Sequence, residues 1–140
     1  MGELSEDVIA FLSEGTRTAV LGWVAADGRP LAAPVWFVVD DGALVFNTGE
    51  DTAKGRALAR DPRVVLCIHD DTPPFAFVQV QGVASISEDP DELLATATRI
   101  GGRYMGADRA EKFGRRNGVP GELVVRVNPT KVHAAFDVAD

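Results

Sequence analysis

Residues 45–64 read VFNTGEDTAKGRALARDPRV, and the order of local signals in this stretch sets the arrangement of the chain around it. Leu44 to Thr48 reads as a β-strand. Gly49-Glu50-Asp51 makes a turn, and a short helix opens at Asp51, carrying Lys54, Arg56 and Arg60, with Arg63 just past its end. Asp61-Pro62 closes the helix, because the residue before a proline is pushed out of the α region. A strand running into a helix N-terminus leaves backbone N–H groups without intrahelical acceptors. With the Thr48 and Thr52 hydroxyls and the Lys54 ammonium nearby, that end is a natural seat for an anion. The plain alternative is a capped surface helix with solvated basic residues.

The flanking sequence is dominated by strands. Ser5 followed by Glu6 and Asp7 is an N-cap with an acidic first turn, and Val8, Ile9, Phe11 and Leu12 share one face of a helix running to about Glu14. Arg17 to Ala26 and Pro30 to Asp40 form a hairpin about Asp27-Gly28, the latter strand carrying PVWFVV. After the Asp40-Asp41-Gly42 turn comes the third strand, Ala43 to Thr48. Arg63 to His69 and Phe75 to Ser87 are the fourth and fifth strands. In the fifth, Phe77, Gln79, Gln81 and Val83 share one face, and Val78, Val80 and Gly82 the other. Asp89-Pro90-Asp91-Glu92 starts a helix from about Pro90 to Gly101 or beyond. A second helix spans Ala107 to Arg116. Glu122 to Val127 and Lys131 to Val138 supply the last strands, broken at Asn128-Pro129. Hairpin-length links imply antiparallel neighbours, hence a small barrel or strongly curled sheet of six or seven strands rather than a doubly wound α/β sheet.

The 140 residues suffice for one domain with a core that needs no disulfide or structural metal. A net charge of −7 and a pI near 4.8 argue against nucleic acid, which is bound by surplus Lys and Arg. The basic residues are nevertheless bunched: positions 54–63 hold four of the fourteen and positions 99–116 hold six, which suits a small anionic ligand. The single cysteine, Cys67, lies in an apolar run, consistent with a reducing compartment and a packing role. The acidic, amphipathic start is not a secretory signal and no apolar run reaches membrane-spanning length, so the expected location is cytoplasmic, with no membrane partner.

Few chemical motifs are present. His69 and His133 lack the companions a metal site requires, and there is no G-x-S-x-G elbow, no G-x-G-x-x-G and no Walker A stretch. Backbone groups on Pro34-Val35-Trp36-Phe37 could bond the edge of a flat heterocycle while Trp36 covers its face, core packing being the alternative. Tyr104, the only tyrosine, is a candidate proton donor with packing as the stronger reading.

The run DGRPLAAPVWFVVDDGALVFNTGEDTAKGRALARDPRVVLCI, followed by FVQVQGVASIS and a closing helical pair, resembles the pyridoxamine 5′-phosphate oxidase-like split β-barrel superfamily of flavin and deazaflavin proteins. The resemblance covers nearly all of residues 1–140 as a single domain. It implies a mainly β fold with helices, a six- to seven-stranded antiparallel split barrel of the FMN-binding type. In that family the positions matching Val35, Trp36 and Phe37 line the ring. Those matching Asn47, Thr48, Thr52, Ala53 and Lys54 hold the phosphate and ribityl chain, and Arg56 and Arg60 are placed to assist. A homodimer with cofactor sites at the interface is also implied. The chain ends VHAAFDVAD, without the tryptophan and Arg-Leu-rich motif of oxidases acting on pyridoxamine phosphate, and KGRALARDPRV looks most like the branch using coenzyme F420. The expectation is therefore an F420-dependent oxidoreductase passing a hydride to a small unsaturated or quinone-like substrate, with no catalytic side chain and no metal. An FMN-dependent reductase is one alternative, and a non-catalytic carrier of a cofactor or tetrapyrrole is another.

Overall fold

The computed structural model describes residues 2–140. Ser5 accepts a hydrogen bond from the Val8 N–H and caps α1 (Glu6–Ser13), whose Val8, Phe11 and Leu12 enter the main core. Seven strands follow: β1 (Ala19–Val24), β2 (Pro30–Val35), β3 (Val38–Asp40), β4 (Ala43–Gly49), β5 (Arg63–Asp70), β6 (Ala76–Ser87) and β7 (Glu122–Ala135). All pairings are antiparallel, in the order β2-β1-β5-β6-β7-β4-β3. Helix α2 (Ala53–Arg60) links β4 to β5. Helix α3 (Pro90–Met105), a 3₁₀ turn at Ala107–Arg109 and α4 (Ala110–Asn117) lie between β6 and β7.

The sequence reading has one continuous strand from Pro30 to Asp40; the structure breaks it at Trp36-Phe37. β2 and β3 occupy opposite edges of the sheet, yet only two residues separate them. Three residue steps span at most about 11 Å. The two edges must therefore come within that distance, which a seven-stranded sheet achieves only by curling into a barrel. The break at Trp36-Phe37 is its seam. Arg103 of α3 ties this seam to α1, donating to the carbonyls of Phe37 at 2.7 Å, Leu12 at 2.6 Å and Gly15 at 3.0 Å.

The last two expected strands prove to be one. β7 pairs with β4 only as far as Val127 opposite Leu44; beyond it, β6 is the one strand paired with it among the described residues. Pro129 thus lies where a strand has one open side and the missing N–H breaks no central ladder. It faces Gly82 at a register shift, and a Cβ on Gly82 would come within 2.6 Å of the Asn128 carbonyl oxygen.

Inside the barrel, Leu21, Phe37, Leu44, Phe46, Leu66, Ile68, Val78, Val80 and Val125 are fully buried. β4 is covered on both faces: Leu44 and Phe46 point inward, while Ala43 and Val45 meet Leu93 and Ile100 of α3 in a second cluster. Both histidines are exposed strand residues, and Cys67 is half-buried. Among the described residues no group of three metal-ligating side chains occurs, and no helix is long and apolar enough to cross a membrane.

Candidate functional site

Between the barrel seam, α2 and the α3–α4 pair lies a cleft of about 430 Å³. One wall is Pro34, Val35 and Trp36 at the end of β2; the floor carries Asn47 of β4 and Lys54 of α2. The opposite side is built from Ala97 and Ile100 of α3, Phe113 and Asn117 of α4, and Glu122 at the head of β7.

Trp36 is placed by its neighbours. Its ring stacks on Tyr104 with centroids 4.7 Å apart and planes 2° from parallel, and Phe113 lies at 6.0 Å with a 34° tilt. The Tyr104 hydroxyl donates to the Arg17 carbonyl at 2.6 Å and accepts from the Phe37 N–H at 3.2 Å. Burial raises its pKa. Tyr104 is thus bound into the seam, which supports the packing role over proton donation. Trp36 itself is 41% exposed, so a flat apolar surface is left toward solvent.

The helix that opens beneath the cleft begins one residue later than the sequence suggested. Its cap is Thr52, not Asp51: the Thr52 hydroxyl accepts from the Gly55 N–H at 2.9 Å and donates to the Gly49 carbonyl at 2.7 Å. The Thr52 N–H is also used, on Gly49. Of the four first-turn donors that a helix cannot satisfy internally, those of Ala53 and Lys54 remain. Gly55 is required by the fold, since a Cβ there would sit 2.2 Å from the Gly49 carbonyl oxygen. Lys54 is half-buried and forms no ion pair among the described residues, and desolvation lowers its pKa. Asn47 donates to the Leu123 carbonyl at 3.3 Å.

The sequence-predicted residues are therefore only partly brought together. Val35, Trp36, Asn47 and Lys54 line one cleft. Phe37 is 0% exposed and belongs to the barrel core. Thr48 is buried, 3.4 Å from the Thr52 hydroxyl, and acts beneath the helix cap rather than on the cleft wall. Ala53 contributes through its backbone. Arg56 folds back onto the Asp51 carbonyl, Arg60 is exposed in the last helical turn, and neither lines the cleft. The residues from α3, α4 and β7 were missed by sequence reasoning. Phe113 is the only large apolar residue of α4, and that isolation was their one available signal.

The donor set suits a flat heterocycle carrying an anionic tail. Trp36 and Phe113 offer ring surface, Asn47 and Asn117 offer amides, and Lys54 with the free amides of α2 offers positive charge. Glu122 is the one acidic group on the wall, and burial raises its pKa toward the neutral form. That shift relieves its conflict with an anion.

An antiparallel split barrel with a cleft at its seam defines the fold class, and the sequence comparison narrows it. Residues 4–136 match the family model described as pyridoxamine 5′-phosphate oxidase, and the chain belongs to that family. A conserved hypothetical protein of Mycobacterium tuberculosis superposes with a TM-score of 0.83 at 26% identity, over 98% of this chain and 87% of that one. An F420 reductase superposes at 0.70 with 26% identity, over 89% and 94% of the two chains. HutZ, the haem storage protein of Vibrio cholerae, shares the fold at 0.73 with 19% identity, over 99% of each. No curated protein matches the sequence.

Proposed function

We propose that the chain is an F420-dependent oxidoreductase that reduces a small unsaturated or quinone-like acceptor. The observation that carries the reading is that Trp36 and Lys54 line one cleft, Lys54 standing in the first turn of α2. The likeness to an F420 reductase adds weight. When bound, the reduced deazaflavin supplies a hydride at ring carbon C5. The protein supplies position: Trp36, held by Tyr104, backs the ring, Lys54 and the Ala53 and Lys54 amides hold the phosphate, and Phe113 excludes water from the far side.

The tail of F420 carries further negative charge, and α4 is the basic element beside the cleft. Lys112 and Arg116 are exposed and precede the wall residues Phe113 and Asn117 by one position each. We assign the F420 tail to α4 because Arg56 and Arg60 lie off the cleft wall. FMN is the second reading, because Trp36 and Lys54 would serve its ring and single phosphate equally well. We further propose a homodimer formed through the outer face of β1, β2, β5 and β6, where Val20, Leu31 and Val83 are exposed around an open concavity. The second copy would complete each cleft.

Reduced F420 mixed with the protein and a panel of quinones and enones tests the reading. Cofactor consumption that depends on both protein and acceptor supports it. Tight binding without consumption across the panel would instead identify a carrier, the reading toward which the haem storage neighbour points.

A further inference from the structure

The cleft wall carries two charged side chains of opposite sign, Lys54 and Glu122. Glu122 opens β7 opposite Gly49 of β4. A Cβ on Gly49 would lie 3.1 Å from one Glu122 carboxyl oxygen and 3.2 Å from the Thr52 methyl. The carboxyl thus stands beside the residue that caps α2, and Lys54 is two residues further along that helix. Among the described residues the Glu122 side chain forms no hydrogen bond and no ion pair, with Lys54 or with any other group. Glu88, which lines an adjoining cavity of about 160 Å³ with it, has the same sign. The anion end of the cleft is therefore not a basic pocket: its one cation is set against one carboxylate.

We propose that Glu122 sets the charge of the anion that the cleft accepts, admitting the single charge of a phosphodiester and disfavouring the double charge of a terminal phosphate. The inference rests on the F420 reading above and deepens it. Part of the choice between F420, whose phosphate is a diester, and FMN, whose phosphate is a monoester, falls to the wall itself. A phosphate monoester carries a charge of about −1.5 to −2 at neutral pH, and a diester carries a single negative charge. Attraction to a site grows in proportion to the charge of the ligand, whereas the cost of stripping its water grows with the square of that charge. A seat whose cation is offset by a carboxylate attracts weakly, so it repays the smaller cost and not the larger. Without the carboxylate, Lys54 meets the anion alone, and a terminal phosphate gains twice what a diester gains. The fold makes no use of the Glu122 charge. Holding it unpaired and half-buried is a cost, which its pKa, raised by burial, records.

The test titrates four fluorescent ligands against wild type, Glu122→Gln and Glu122→Ser: F420, the deazaflavin without phosphate and tail, FMN, and riboflavin. The affinity of FMN relative to riboflavin isolates a terminal phosphate, and that of F420 relative to the bare deazaflavin isolates the diester with its tail. Titration at about pH 8 keeps the monoester above its second pKa of about 6. In wild type, FMN should bind within about threefold of riboflavin. Glu122→Gln should raise the FMN-to-riboflavin ratio about 5- to 30-fold, the worth of removing one like-charge repulsion in partly screened surroundings. The F420 ratio should rise only about 2- to 5-fold, because the diester carries half the charge. Glu122→Ser should reproduce both changes, which shows that they come from the lost charge and not from the new amide. An FMN ratio unchanged in both variants, or FMN and F420 ratios that rise equally, would overturn the proposal while tight F420 binding by wild type leaves the F420 reading standing. A wild-type protein that already binds FMN far more tightly than riboflavin would overturn it likewise. Binding of none of the four by wild type would overturn the F420 reading, and this proposal with it.

Discussion

Replacing Lys54 by alanine separates the binding role of this residue from its structural one. The ammonium is half-buried, its pKa is lowered from 10.5 by desolvation, and no carboxylate of the described residues lies within ion-pairing distance. In the free protein the Trp23 ring, centred 6.0 Å from the ammonium, offsets that cost only weakly. Because the unfolded chain binds the proton more readily, stability rises with pH between the folded pKa and the ordinary value, and the penalty is fully present below that window. Removing the charge, with Lys54→Met as the version that keeps the apolar stem, should leave the melting temperature of the free protein unchanged or raise it. Binding should move the other way. Loss of one charged hydrogen bond to phosphate costs about 1.5 to 3 kcal/mol, so the F420 dissociation constant should rise roughly 10- to 150-fold. Fluorescence titration of F420 and thermal unfolding on the same samples measure both. A folded Lys54→Ala protein with affinity within about threefold of wild type would refute the placement of the phosphate at α2.

Tyr104→Phe keeps the stack on Trp36 but deletes the hydroxyl bonds to Arg17 and Phe37. Urea unfolding should show a loss of about 1 to 3 kcal/mol, the cost of leaving buried seam groups unpaired. Gly55→Ala forces the β4–α2 turn apart at the Gly49 carbonyl; it should destabilise by about 1 to 3 kcal/mol and abolish F420 binding in the same titration. The paired change Lys112→Glu and Arg116→Glu should weaken F420 by roughly 2- to 10-fold, a screened surface effect, with FMN affinity little changed, as parallel titrations would reveal. Asp40 is held below its ordinary 3.8 by hydrogen bonding from Arg126, at 2.8 Å, and by Arg99. Its contribution is present above that ordinary value and lost as pH falls through the lowered one, so the melting-temperature gap between wild type and Asp40→Asn should close in acid. Because the carboxylate is 44% exposed, that gap corresponds to less than about 1 kcal/mol.

Elements with local causes were legible in the sequence. The Ser5 cap, the Asp27-Gly28 hairpin and the Asp89-Pro90 helix start each follow from residues in contact along the chain. The seam was not legible, because PVWFVV is an unbroken apolar run. Its division at Trp36-Phe37 is imposed by barrel closure and by Arg103 and Tyr104 reaching in from α3. Pro129 misled for the opposite reason: a strand breaker is harmless where β7 has already lost β4. In the candidate site, Trp36, Asn47 and Lys54 came from one contiguous stretch and were found. Phe113, Asn117 and Glu122 arrive from the other side of the barrel some sixty residues or more later in the chain, and no local pattern links them to it. The arginines of α2 show the limit of counting charge, since helix geometry turns Arg56 and Arg60 away from the wall that Lys54 faces.

Equilibrium titration of F420 and FMN side by side against the same purified protein tests the central claim most directly. Saturable F420 binding at micromolar strength or better, tighter than FMN and weakened by Lys54→Ala, is the expected result. Tight uptake of FMN with no response to F420 would contradict the deazaflavin assignment, and indifference to both would contradict the cofactor cleft itself.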